Sequence, residues 1–189
     1  LYSLGIKGVK DLKSKVKSGA IEVNDKIKLG LKYYGVVKTN IPRKEIDNVF
    51  TLLKKVIKKI NKKNKYEKTE EYIIEICGSY RREKITSNDI DVLITKKGNI
   101  DNDTNYLKSF VKKLKKDMKL NKNKPLIIDD MTDKNIETKY MGFIKYKNNP
   151  VRRIDIRFVP YESYNYALLY FTGSKDLNKK MRQIAKNKG

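Results

Sequence analysis

Residues 77–94 read CGSYRREKITSNDIDVLI, and the stretch NDIDVLI at 88–94 decides the fold. Side chains of a β-strand alternate between its faces, so Asp89 and Asp91 project from one face. Ile90, Val92 and Ile94 take the other face and can pack on a core. Two carboxylates a single pleat repeat apart repel unless a cation lies between them. A divalent ion meets that need, and Mg²⁺ prefers one or two carboxylates together with substrate phosphates. Taken alone, a D-x-D pattern is equally well a pair of surface acids held by nearby lysines. The flanks decide between the two.

Upstream, Gly78 and Ser79 end a β-rich run, YIIEIC at 72–77. A Gly-Ser turn lets backbone amides and a hydroxyl approach a phosphate closely, and Arg82 can add a charge-assisted contact. Downstream, RRIDIRF at 152–158 alternates strictly. It places Asp155 on a polar strand face with Arg153 and Arg157, while Ile154, Ile156 and Phe158 point inward. A third carboxylate beside the first pair completes a two-metal site. One ion lowers the pKa of an attacking hydroxyl, and the other holds a triphosphate and the leaving pyrophosphate.

The rest of the chain falls into three zones. Residues 1–39 read as short helices punctuated by Gly5, Gly8, Gly19 and Gly30. Pro42 opens a longer helix in which Ile46, Val49, Phe50, Leu53, Val56, Ile57 and Ile60 recur at helical spacing. The lysines on its other side, Lys54 to Lys63, read as a solvated back, with a DNA-facing stripe as the alternative. A second helix is expected over 106–120 through Leu107, Phe110, Val111, Leu114 and Met118. Further strands are expected at 126–128, 140–146 and 153–159. Strands with helices between them indicate an α+β layer architecture. Beyond Pro160, two short helices flank a Thr-Gly-Ser turn.

Composition limits the chemistry. The 189 residues contain no histidine, which excludes Ser-His-Asp, Cys-His and His-ligated zinc schemes together. Cys77 is the only cysteine, so an internal disulfide is excluded. A reducing, intracellular compartment fits, with nuclear, cytoplasmic and viral-factory sites all open. No apolar run approaches a membrane span. Lys+Arg total 45 against 22 Asp+Glu, a net charge of +23 that favours a polyanionic partner. A Lys-, Asn-, Ile- and Tyr-rich chain is also what an AT-rich genome encodes, with lysine filling solvated faces by default.

Gly-Ser followed by alternating Asp and apolar residues looks like the nucleotidyltransferase superfamily signature. More closely, the chain resembles family X DNA polymerases of the polymerase beta type. Five ordered blocks carry the resemblance: GLKYYGVVKTNIPRKEI, CGSYRREKITSNDIDVLI, ETKYMGF, RRIDIRFVP and LLYFTGSKDLNKKMR. It implies an α+β nucleotidyltransferase palm, a mixed sheet backed by helices, at 40–160. A remnant of a helical, helix-hairpin-helix subdomain precedes it at 1–39, and the start of a truncated nucleotide-facing subdomain follows at 161–189.

By position, the resemblance makes Asp89 and Asp91 ligands of both metals and Asp155 a ligand of the catalytic metal beside a primer 3′-hydroxyl. It gives Gly78, Ser79, Arg82 and Asn88 to the triphosphate. Tyr170, Phe171, Gly173 and Asn178 fall to the incoming nucleotide, and Arg153 and Arg182 to DNA. It implies two Mg²⁺ ions, with Mn²⁺ as an alternative, and a monomer acting on dNTPs and primer-template or gapped DNA.

Some positions depart from the family pattern. Asn40 stands where polymerase beta has a triphosphate-binding arginine, Asn88 replaces a glycine, and Lys175 occupies an acidic position. The expected activity is template-directed, gap-filling DNA synthesis. The alternatives are a template-independent transferase and a fragment that binds nucleotide or nucleic acid without efficient turnover. The Tyr170-Phe171 pair argues against the former, since terminal transferase resembles a Gly-Trp type there. A start at Leu1 and a stop at Gly189 are expected of a piece of a longer protein.

Overall fold

The central strand Ile90–Lys96 is the organising feature of the computed structural model, which describes residues 5–38, 40–65, 67–98, 104–117, 119–120, 124–132 and 136–189. The chain divides into two compact units, 1–37 and 38–189. The first contains helices α1 (Val9–Lys17) and α2 (Asp25–Tyr33) around buried Ile6, Leu12 and Leu31. Asn24 caps α2 by accepting from the Ile27 amide at 2.9 Å.

In the second unit, β1 (Ile41–Pro42) leads into α3 (Arg43–Lys63), followed by β2 (Tyr72–Ile76) and the one-turn helix α4 (Gly78–Arg81). Next come β3 (Thr86–Ser87), β4 (Ile90–Lys96), α5 (Tyr106–Asp117), β5 (Lys119–Leu120) and β6 (Lys124–Pro125). The unit closes with β7 (Ile127–Asp130), β8 (Lys139–Ile144), β9 (Arg152–Phe158), α6 (Tyr164–Thr172) and α7 (Lys175–Asn187). Five strands form one mixed sheet in the order β2-β4-β9-β8-β7, in which only the β4–β9 pair is parallel.

The sheet's two faces divide the labour. Ile74, Ile76, Ile90, Val92, Ile94, Ile154, Ile156 and Phe158 share a buried core with the apolar stripes of α3 and α5. Their alternation leaves Asp89, Asp91, Arg153, Asp155 and Arg157 for the opposite face, where α6 packs near β4. A buried ion pair ties the two layers together at one end. The Arg152 Nε and Nη2 donate to the two Glu45 carboxylate oxygens at 2.9 and 2.8 Å, and Nη1 donates to the Lys38 carbonyl at 3.0 Å.

The expected α+β palm with a mixed sheet backed by helices is the observed architecture. Local boundaries differ. The helix expected over 106–120 ends at Asp117, and Lys119 and Leu120 pair with Lys124 and Pro125 as a short hairpin; Met118 lies outside the described residues. Gly78 and Ser79 open α4 rather than a simple turn, because the Arg81 and Arg82 amides donate back to the Cys77 and Gly78 carbonyls. Pro42 caps α3 and also pairs with Thr86. Leu1 to Leu4 and Thr39, within the expected first zone, lie outside the described residues. Among the described residues, no helix is long and apolar enough to cross a membrane.

Candidate active site

Parallel pairing of β4 with β9 sets Asp91 directly opposite Asp155. Asp89 precedes β4 by one residue on the same face, so carboxylate oxygens of all three lie within 4.8 Å of one another. Each of the three aspartates is half-buried. Burial, reinforced by Asp89 and Asp155, pushes the Asp91 carboxyl up to about 7. Asp89 is also raised, by burial and then by Asp155. Arg153 opposes both shifts and donates through Nη2 to the Asp155 oxygens at 3.0 and 3.3 Å. Two carboxyls held above the ordinary range, with a third carboxylate beside them, form a cation-binding arrangement.

The donor set also indicates which cations fit. The chain has no histidine, and burial pushes the Cys77 thiol beside the site up to about 12, so it stays protonated at neutral pH. Only hard oxygen ligands remain, which suit Mg²⁺ or Mn²⁺ rather than a soft metal.

Beside the carboxylates, α4 is held rigidly. The Tyr80 hydroxyl donates to Asp47 at 2.7 Å, and the Arg43 guanidinium stacks 4.0 Å over the Tyr80 ring while donating to its carbonyl. Gly78 sits at φ 57°, and a Cβ there would lie 2.1 Å from the Asp91 Oδ2. Glycine is therefore required both by the backbone and by the approach of the carboxylate.

A cleft of about 310 Å³ opens between α4 and the α6–α7 pair. Gly78, Ser79, Arg82, Asp91, Tyr170, Phe171, Gly173, Asn178 and Arg182 line it, so nine of the thirteen expected site residues meet there. Arg82 spans the cleft, donating to the Thr172 carbonyl at 2.5 Å and to the Ser79 hydroxyl at 3.2 Å. The Asn178 amide donates to the Tyr170 carbonyl at 2.8 Å, and its Oδ1 is buried without a partner among the described residues. Arg182 donates to the Asn178 carbonyl. Asp89, Asp155 and Arg153 stand on the adjoining sheet face, while Asn88 does not line the cleft.

Three residues at the site carry no functional role in the sequence pattern. Arg81 donates to the Thr172 hydroxyl at 3.1 Å and so ties α4 to α6. Arg157 lies 5.7 Å from the Phe171 ring, lining a smaller cavity with Cys77, Asp91 and Asp155. Lys175, noted only as a departure, lines the main cleft. The position of Arg157 on the polar face of RRIDIRF was the one available signal.

Comparison with known proteins agrees with this geometry. Residues 40–161 match the DNA polymerase beta palm family and residues 167–189 the DNA polymerase beta thumb family. The chain belongs to the family X, polymerase beta-like DNA polymerases. It is 33% identical over its whole length to DNA polymerase lambda of Arabidopsis thaliana and 28% identical to that of Rattus norvegicus. A DNA nucleotidylexotransferase of Xenopus laevis is 23% identical over 97% of the chain. The chain spans 34%, 30% and 39% of these relatives, respectively.

Proposed function

We infer that this chain carries the catalytic centre of a DNA-directed DNA polymerase of the gap-filling repair type, adding dNTPs to a primer 3′-hydroxyl with release of pyrophosphate. The observation that carries this reading is the register of Asp91 against Asp155, with Asp89 beside them and a cleft lined by Gly78, Ser79, Arg82 and Arg182 adjoining. Asp89, Asp91 and Asp155 would hold two Mg²⁺ ions, or Mn²⁺ in their place. When bound, these ions supply the charge that acidifies the primer hydroxyl and neutralises the triphosphate.

The chain's own residues orient the reactants. Gly78 and Ser79 present amide and hydroxyl donors, and the Arg82 guanidinium lies within reach of the same cleft, where it can exchange its Thr172 carbonyl for a phosphate oxygen. Tyr170, Phe171 and Gly173 pack against the incoming sugar and base. Asn178 lines the same cleft on the side of the incoming nucleotide, and Arg182 reaches the nascent pair from beside it. Arg153 holds the Asp155 carboxylate and contacts the primer terminus. The reaction runs on a monomer.

Asp155→Asn keeps the shape of the site and removes one charge. It is expected to reduce single-turnover primer extension by at least a thousandfold while leaving the unfolding temperature within a few degrees of the parent. Extension at the parent rate would remove Asp155 from the mechanism. The same assay without a template strand decides template dependence, since a transferase would extend single strands equally well.

A further inference from the structure

The sheet face opposite the carboxylates is covered by α3 and α5, which pack side by side. Along α3, Lys54, Lys58 and Lys62 form one i, i+4, i+8 row, and Lys55, Lys59 and Lys63 form a second. On α5, Lys108, Lys112 and Lys116 repeat the same spacing. All nine are exposed.

Two observations separate this pattern from a solvated helix back. The first is its single sign. Among the described residues, the exposed charged side chains of α3 and α5 are these nine with Lys44 and Lys115; basic residues outnumber acidic ones 45 to 22 in this chain, so random placement would make about four of the eleven acidic, and none is. The second is its cost. Like charges at i, i+4 destabilise a helix, and six such pairs stand in the three rows. Alternating Glu and Lys would solvate the helices equally well and stabilise them. Among the described residues, none of the lysines in the rows has an ion-pair partner.

We propose that the outer face of α3 and α5 is a second nucleic-acid-binding surface, which grips the phosphate backbone of a duplex without reading its sequence. Successive lysines of a row rise about 6 Å along the helix, close to two phosphates along a DNA strand at about 3.4 Å each. The surface lies on the sheet face away from the aspartates, so a duplex held there is not the one whose primer end is being extended. It would retain the protein on DNA while the reactive end is found or released. This surface does not depend on the catalytic reading.

The test uses a dumbbell duplex closed at both ends, which offers no 3′-hydroxyl to the active site. Lys55, Lys59, Lys112 and Lys116 are replaced together by glutamine, which preserves helix propensity and removes repulsion. A second protein carries the same charge loss at scattered exposed positions: Lys68, Lys145, Lys147 and Lys188 to glutamine. Binding is measured across a salt series, with thermal unfolding as the fold control.

The helix variant is expected to unfold no earlier than the parent. Its slope of log affinity against log salt should become shallower by about 2–4, with the scattered variant close to the parent. An unchanged slope in the folded helix variant would overturn the proposal, as would an equal loss in the scattered variant. So would loss of binding to vesicles of anionic lipid with DNA binding intact, which would assign the surface to membranes.

Discussion

Asp91 is costly to the metal-free protein, because its carboxyl is buried and faces Asp89 and Asp155. Its folded-state pKa of about 7 lies above the ordinary value of 3.8, so between those pH values the folded chain binds more protons than the unfolded one. Stability from this group is therefore fully present below about pH 4 and falls as pH rises through 7, by a few kcal/mol in order of magnitude. Asp91→Asn should raise the unfolding temperature at pH 8 in chelator, with the gap closing towards pH 4. Added Mn²⁺ should stabilise the parent but not the variant. A variant no more stable than the parent at pH 8 would show that the charge is not strained. Gly78 is the companion case, since Gly78→Ala places a methyl 2.1 Å from the Asp91 Oδ2 at a backbone φ of 57°. Displacing the carboxylate is expected to weaken Mn²⁺ binding at least tenfold and to cost about 2 kcal/mol or more in denaturant unfolding. Titration calorimetry with unchanged affinity would contradict this. At this scale the sequence was informative for the aspartates, because strand alternation gives each a face. It was silent on why Gly78 must be glycine, since that depends on where Asp91 packs after folding.

Between elements, the Glu45–Arg152 pair joins the start of α3 to the start of β9, one residue before Arg153. Both side chains are buried, at 7% and 5% exposure, so removing one leaves an uncompensated charge. Arg152→Met alone is expected to cost about 3–5 kcal/mol in urea unfolding, and adding Glu45→Leu should recover most of it. A double variant as unstable as the single would show that the pair contributes more than the relief of its own desolvation. This contact joins residues 107 positions apart and had no signature in the sequence. The same limit explains what was legible among the elements. The periodic stripe of α3 and the alternation of β9 follow from side-chain burial on one face, which a linear pattern records. The two-residue strands β1, β3, β5 and β6 exist only because a partner segment is adjacent, so their own residues carried no period. The Asp91–Asp155 register and the bridge from Arg81 and Arg82 to Thr172 likewise depend on docking of distant segments.

At the scale of the molecule, the division into units 1–37 and 38–189 gives each its own core. The first rests on Ile6, Leu12 and Leu31, with partly buried Val9, Val16, Ile21, Val23 and Ile27 around them. Chains below about 40 residues rarely bury enough apolar surface to fold alone. The second has a continuous core running from α3 and α5 through the sheet, and it contains the three aspartates and the cleft. A protein comprising residues 38–189 is therefore expected to unfold in a single cooperative transition and to bind Mn²⁺ within about threefold of the whole chain. A peptide of residues 1–37 is expected to give a far-UV spectrum of mostly unordered backbone at 25 °C. If 38–189 were instead to lose cooperative unfolding, the apolar layer behind its sheet would be insufficient by itself. If it folded but lost metal binding, the geometry of the aspartates would require more than the β4–β9 register and the rigid placement of α4.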